Sequence, residues 1–242
     1  LVVARTRKVH DVTRRLTRAQ DGRPAAPIRI VHLGLGNFFR AHEAMYTERA
    51  SDADAWGIAA FTGRSTAMAE AMTAQDGLYE LIVQNPEGNE YEVISSISAT
   101  HSGSDVATFV GYLADPAVVI VSSTITEAGY LPGAEGGIDL TNAAVQADIA
   151  ALKGGEATAV TTAPGKFVAG LLARRAADAG SITFLPCDNV PDNGHMVAGV
   201  LTSLAEAVDP TLVDWMSANV GFATTMVDRI TPSISEEARA AL

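Results

Sequence analysis

The run Ile28-Arg29-Ile30-Val31-His32-Leu33 passes directly into Gly34-Leu35-Gly36 and then into a helix-capable segment over residues 43–49. A buried strand that ends in two glycines ahead of a helix is how a phosphate-binding turn is built. Gly34 lets the chain turn tightly, and Gly36 lets a pyrophosphate approach the backbone N–H groups at the helix start. Asn37 is placed to cap that helix. The third glycine of a G-x-G-x-x-G fingerprint would fall at position 39, where the chain has Phe39. Spacing alone therefore leaves two readings open: a nucleotide-binding turn, or a strand–turn–helix corner whose glycines serve packing only.

Composition narrows the class. The chain has 242 residues, enough to bury a core in one large domain or two small ones. Its apolar runs are broken by charge, Gly or Pro before reaching about 18 residues, so no membrane span is expected, and no signal peptide is recognisable. A net charge of -11 argues against nucleic acid as a partner, because phosphate binding needs clustered cations. Seven of the 17 basic residues precede Pro24, and the acids Asp11 and Asp21 among them favour a solvated N-terminal arm over residues 1–27 rather than a transit peptide. With Cys187 as the single cysteine no internal disulfide can form, and a reducing cytoplasm is the expected setting. Cys187 has Asp188 beside it rather than a base, so it reads as a small buried hydrophobe. The five histidines lack zinc-ligand spacing and no G-x-S-x-G nucleophile motif occurs.

Taken in order, residues 56–61 read as a second buried strand, followed by Thr62-Gly63-Arg64-Ser65. Where a strand of this kind ends, an acid favours NAD and an Arg accommodates the 2′-phosphate of NADP. Asp52 and Asp54 come too early and Arg64 occupies the place, which by chemistry alone points to NADP. Residues 68–74 read as a helix. Residues 78–84 and 90–98 read as strands joined across Asn85-Pro86-Glu87-Gly88-Asn89, an antiparallel hairpin inserted in a βαβ series. Ser104-Asp105 caps a helix that Pro116 stops. Residues 118–122 form a continuous apolar run suited to a parallel strand buried on both faces, and Thr124, Thr126 and Glu127 follow at its carboxyl end, where ligands bind in open α/β sheets. A helix is expected over residues 140–152 with Asp139 or Thr141 near its start, and another opens at Pro164-Gly165 with Arg174 and Arg175 in its last turns. The lysines Lys8, Lys153 and Lys166 read as solvated ammonium groups.

Residues 181–186 read as a strand that delivers Cys187-Asp188-Asn189-Val190-Pro191-Asp192-Asn193-Gly194. Asn193 is expected to cap the apolar-periodic helix after it. Asn189 is the better candidate for chemistry, because an amide N–H can donate to a carbonyl oxygen that gains charge as hydride arrives. Asp209-Pro210 starts a further helix, and Met226-Val227-Asp228-Arg229-Ile230-Thr231-Pro232 closes the readable part of the chain.

Four of these strings together resemble the mannitol dehydrogenase family of zinc-independent long-chain polyol dehydrogenases, which includes mannitol 2-dehydrogenase, fructuronate reductase and tagaturonate reductase. They are Gly-x-Gly-x-Phe-x-Arg-Ala-His at 34–42, Thr-x-Thr-Glu-x-Gly-Tyr at 124–130, Cys-Asp-Asn-x-Pro-x-Asn-Gly at 187–194, and Met-Val-Asp-Arg-Ile-Thr-Pro at 226–232. The resemblance implies a Rossmann-like, doubly wound, mostly parallel α/β sheet over residues 28–242. It implies cofactor contacts from Gly34, Gly36, Asn37, Phe38, Arg64, Thr124 and Thr126, and it keeps NAD ahead with NADP possible, since NAD-preferring members also carry an Arg near position 64. Catalytic roles fall on Asn189 and Asp228, and substrate contacts on Asn189, Val227 and Asp228. The substrate implied is a small sugar alcohol or ketose, mannitol and fructose ahead of mannonate and fructuronate. The resemblance further implies a helical second domain, expected to begin near residues 235–242, that supplies a proton-transferring Lys in a Lys-x-x-x-x-Asn-x-x-His motif; that motif is absent from these 242 residues. A dinucleotide-binding module without turnover is the alternative.

Overall fold

The computed structural model describes residues 2–3, 7–9, 12–63, 66–85, 87–134, 136–227 and 230–231. Six strands form one sheet: β1 Ile28–Leu33, β2 Gly57–Phe61, β5 Ile97–His101, β6 Ile120–Ser123, β7 Ile182–Pro186 and β8 Val220–Phe222. Their order is β5-β2-β1-β6-β7-β8, so sequence runs outward in both directions from the β1/β6 pair. This is the doubly wound arrangement, and the pairings within it are parallel. β2 is buried along its whole length, as a strand covered on both faces must be. Among the described residues no helix is long and apolar enough to cross a membrane.

The chain divides into two compact units. The first holds residues 1–28, 34–102 and 228–242. There the hairpin strands β3 Tyr79–Asn85 and β4 Gly88–Ile94 pair antiparallel, as expected, and Val2–Val3 adds to the outer side of β3. The expected strand over residues 90–98 is in fact two. Ser95 N–H donates to Glu48 Oε2 (2.8 Å) and Ser96 Oγ to the Ala44 carbonyl (2.7 Å), which takes the chain off the hairpin. Ile97 then starts β5, parallel to β2. The N-terminal arm is tied down as well. Arg18, in the single helical turn Arg18–Asp21, donates to the carbonyls of Arg23, Ser95 and Ile97 at 2.6–3.0 Å.

The second unit holds residues 29–33 and 103–227. Its helices are α4 Val106–Leu113, α5 Ala143–Lys153, α6 Ala163–Ala176, α7 Asn193–Val208 and α8 Pro210–Asn219; α1 Asn37–Ala41, α2 Glu43–Glu48 and α3 Ala67–Thr73 belong to the first unit. Asp105 and Asp209 cap α4 and α8 as expected. α5 starts later than its pattern indicates, because Asn142 rather than Asp139 or Thr141 accepts from the first free N–H groups. Lys166 is half-buried, with its Nζ on the Gly103 carbonyl at 2.6 Å, so it is not the solvated ammonium expected. Burial pushes its pKa down.

Arg174 is the largest departure from a surface reading. Its guanidinium is wholly buried and donates to five carbonyls, those of Leu113, Asp115, Ala179, Gly180 and Ser181, at 2.8–3.1 Å. Arg175, one residue on, makes the partly exposed ion pair with Asp209 (2.6 Å). Replacing Arg174 with Met leaves those carbonyls buried without donors, so Arg174→Met is expected to lower unfolding free energy by about 3–5 kcal/mol, against under about 1 kcal/mol for Arg175→Met. Urea denaturation of the two variants beside the parent chain measures both.

Candidate functional site

In the first unit the glycine turn has the geometry its sequence demands. Gly34 adopts φ 122°, in the region that favours glycine, and both Gly34 N–H and Leu35 N–H donate to the Phe61 carbonyl at 2.9 Å. Gly36 has an ordinary φ of -112° at the N-cap of α1. A Cβ placed on it would meet only the Gly34 carbonyl, at 3.6 Å, an ordinary contact. Packing within the chain therefore does not require glycine here, and the exposed position leaves room for a group to come close to the backbone. Asn37 is not a cap: it is the first residue of α1, exposed, and its Oδ1 accepts from Arg40 Nη2 at 2.6 Å. Phe38 is half-buried and stacks on His42 (centroids 5.0 Å apart), whose ring meets Tyr46 edge-on. Arg64 lies outside the described residues.

In the second unit polar groups collect at the carboxyl ends of β1, β6 and β7. His32 is fully buried, with Nδ1 2.8 Å from Ser122 Oγ and Nε2 3.1 Å from Thr124 Oγ1. Thr124 is thus half-buried and held, while Thr126 and Glu127 are exposed. Asp188, at the exit of β7, is buried and accepts from Ile125 N–H (2.5 Å), from Ser123 Oγ (3.3 Å) and from the Tyr130 hydroxyl. Burial pushes the Asp188 carboxyl up to about 6, with the Tyr130, Ile125, His32 and Ser123 interactions pulling the other way. Burial and the Asp188 charge drive the Tyr130 ionisation well above its ordinary range.

Asn189 follows Asp188 and is exposed on a cavity of about 410 Å³. One wall is residues 188–192, turned by Asp192 in the left-handed region (φ 51°); the other is residues 224–227. Asn193, expected to be a cap, instead joins the walls from beneath. Fully buried, it donates from Nδ2 to the carbonyls of Pro186 and Asp188 and to Thr225 Oγ1, and its Oδ1 accepts from Thr225 N–H, at 3.0–3.1 Å. Asn189 and Val227 are therefore brought to one cavity. Asp228 lies outside the described residues. Cys187 is buried, as read.

Sequence reasoning passed over the buried polar groups His32 and Asp188 and read Asn193 only as a cap. A carboxylate after an apolar strand was the available signal for Asp188, since a parallel strand's exit is where ligands meet an open sheet. Among the described residues no group of three or more His, Cys, Asp or Glu side chains could hold a metal ion.

Comparison with known proteins supplies the context for this geometry. Residues 28–242 match the model of the mannitol dehydrogenase Rossmann domain. Mannitol 2-dehydrogenase of Cereibacter sphaeroides is 36% identical over 234 residues, covering 94% of this chain and 48% of the relative. Polyol:NADP oxidoreductase of Gluconobacter oxydans (strain 621H) is 39% identical over 216 residues, covering 86% of this chain and 44% of the relative. Among solved structures, the Pseudomonas fluorescens mannitol 2-dehydrogenase ternary complex with NAD and D-mannitol superposes with a TM-score of 0.81 at 33% identity, covering 89% of this chain and 44% of that one. The chain thus spans about half the length of the curated relatives it matches. The sheet order, the glycine turn and the match over residues 28–242 agree, and the chain belongs to the mannitol dehydrogenase family, as its Rossmann dinucleotide-binding domain.

Proposed function

We propose that this chain is the cofactor-binding half of an NAD(P)-dependent oxidoreductase that moves a hydride between nicotinamide and C2 of a sugar alcohol or ketose, with mannitol and fructose as the leading pair. The observation that carries the reading is the exposed Asn189 amide on the cavity at the exit of β7, opposite Val227. When bound, the nicotinamide supplies or takes up the hydride.

The chain's own residues then have distinct tasks. The backbone at Gly36, Asn37 and Phe38 approaches the pyrophosphate, with Gly36 leaving the approach open. Thr124 and Thr126 meet the cofactor at the exit of β6, and Arg64 follows β2 where the adenosine ribose is met. Asn189 Nδ2 donates to the substrate oxygen and favours the more negative oxygen of the transition state. Asp228 orients the substrate by accepting from sugar hydroxyls, and Val227 packs against it. A sugar hydroxyl does not ionise usefully at neutral pH without a positioned base, and that base is assigned to the Lys of the family's second domain. NAD is the first candidate and NADP the second. The same cavity fits a hexonate such as mannonate as the runner-up substrate. The family's enzymatic role favours an enzyme, acting in the cytoplasm, over a non-catalytic module.

Calorimetric titration with NADH and NADPH is the direct test: saturable binding of NADH is expected, and failure to bind either nucleotide overturns the reading. Assayed alone with mannitol, fructose and fructuronate, the 242-residue chain is expected to give no rate above background, because these residues do not contain the Lys-x-x-x-x-Asn-x-x-His motif to which proton transfer is assigned. The glycine turn has its own discriminating variant. Gly36→Ala is expected to keep unfolding free energy within about 1 kcal/mol of the parent, since its Cβ meets nothing closer than 3.6 Å. It should nonetheless weaken NADH binding about tenfold or more. A glycine present only for packing would show the reverse, a stability loss with affinity unchanged.

A further inference from the structure

Asp188 has no part in the chemistry just assigned, yet it sits between two segments that do. It immediately precedes Asn189 at the exit of β7. Its carboxylate reaches across to the segment after β6, where it accepts from the Ile125 N–H between Thr124 and Thr126 and from the Tyr130 hydroxyl at the far end of the turn Glu127–Tyr130. Ser123 Oγ lies 2.6 Å from the same Tyr130 hydroxyl and 3.3 Å from Asp188 Oδ2. One buried acceptor therefore fastens residues 124–130 at both ends.

The groups facing this carboxylate leave its charge weakly compensated. From the β6 side come the neutral phenol of Tyr130 and the Ser123 hydroxyl, from β1 the imidazole of His32, and from β7 the adjoining Cys187. Among the described residues no Lys or Arg forms an ion pair with it. The ionised carboxylate accepts all three bonds. Once a proton from solvent adds to one carboxylate oxygen, that oxygen becomes a donor, and it must turn a Tyr130 or Ser123 oxygen into its acceptor. The hydroxyl pair then reverses, and the Ile125 N–H faces a weaker, neutral acceptor.

We propose that Asp188 is a positioning residue that latches residues 124–130 to the exit of β7 only while it is ionised, so that the segment bearing Thr124 and Thr126 is held for the dinucleotide above mildly acidic pH and released below it. The ligand consequence rests on the dinucleotide reading above; the latch itself does not. The direction follows from burial raising this carboxyl to about 6: the pinned form dominates above that pH and the released form below.

Hydrogen exchange at the Ile125 amide, corrected for intrinsic rates between pH 5 and 8, reads the latch without any ligand. The parent chain is expected to lose about tenfold or more of its protection as pH falls through 6. Asp188→Asn should show low, pH-independent protection. Tyr130→Phe removes a donor that favours the ionised form, so its inflection should move to higher pH, a shift that a merely structural hydroxyl would not cause. It also carries the test should Asp188→Asn fail to give a native thermal melt. NADH affinity should follow the same profile, several-fold weaker at pH 5.5 than at 7.5 in the parent and flat in Asp188→Asn. No inflection in the parent, or an inflection that persists in Asp188→Asn, overturns the latch. An inflection in a chain that binds no NADH leaves the latch standing and removes the dinucleotide reading instead.

Discussion

The parallel pairing of β1 with β6 is the constraint from which the chemistry of this chain is arranged. Ile30 to Leu33 lie alongside Ile120 to Ser123 in strict register, and the pairing is extended at both ends by Val119 N–H on the Arg29 carbonyl (2.9 Å) and Thr124 N–H on the Leu33 carbonyl (3.0 Å). Strand order reverses at this pair, as it does at the centre of a doubly wound sheet. Backbone hydrogen bonds fix this register, and Thr124, immediately after β6, inherits its place from it.

Within the second unit this explains why polar residues can survive burial. His32, Ser123 and Asp188 sit within two residues of the ends of β1, β6 and β7, where neighbouring side chains act as their partners. Further back along the same strands Val31, Val121 and Phe184 are apolar and fully enclosed. The change from apolar to polar along a few ångströms of strand is a change in available hydrogen-bond partners.

Much of this layout was legible in the residues themselves. Continuous β-branched runs, the Gly34 turn and the caps Asp105 and Asp209 are local signals, and each depends on a few adjacent residues. What escaped was set by distant partners. Asp139 looks like a cap for α5, but it spends its Oδ1 on Thr141 N–H and Oγ1, which leaves Asn142 to do the capping. The run at residues 90–98 carries one strand pattern, and only Glu48 and Ala44, more than forty residues away, decide that it breaks at Ser95-Ser96. Asn193 has the composition of a cap and the function of a clamp, because Thr225 comes back to it. Asp188 reads only as the non-basic neighbour of Cys187, and its burial among the hydroxyls of Ser123 and Tyr130 is set by residues more than fifty positions away.

Arg174 shows what such distant partnership does to the behaviour of the chain as a whole. Its five acceptors lie at the end of α4 and just after it, and in the turn between α6 and β7. None of these segments can open alone without stranding part of a buried cation, so local fraying carries the energetic cost of a much larger event. The guanidinium thereby turns a helix end, a connecting turn and the approach to a central strand into one cooperative folding unit.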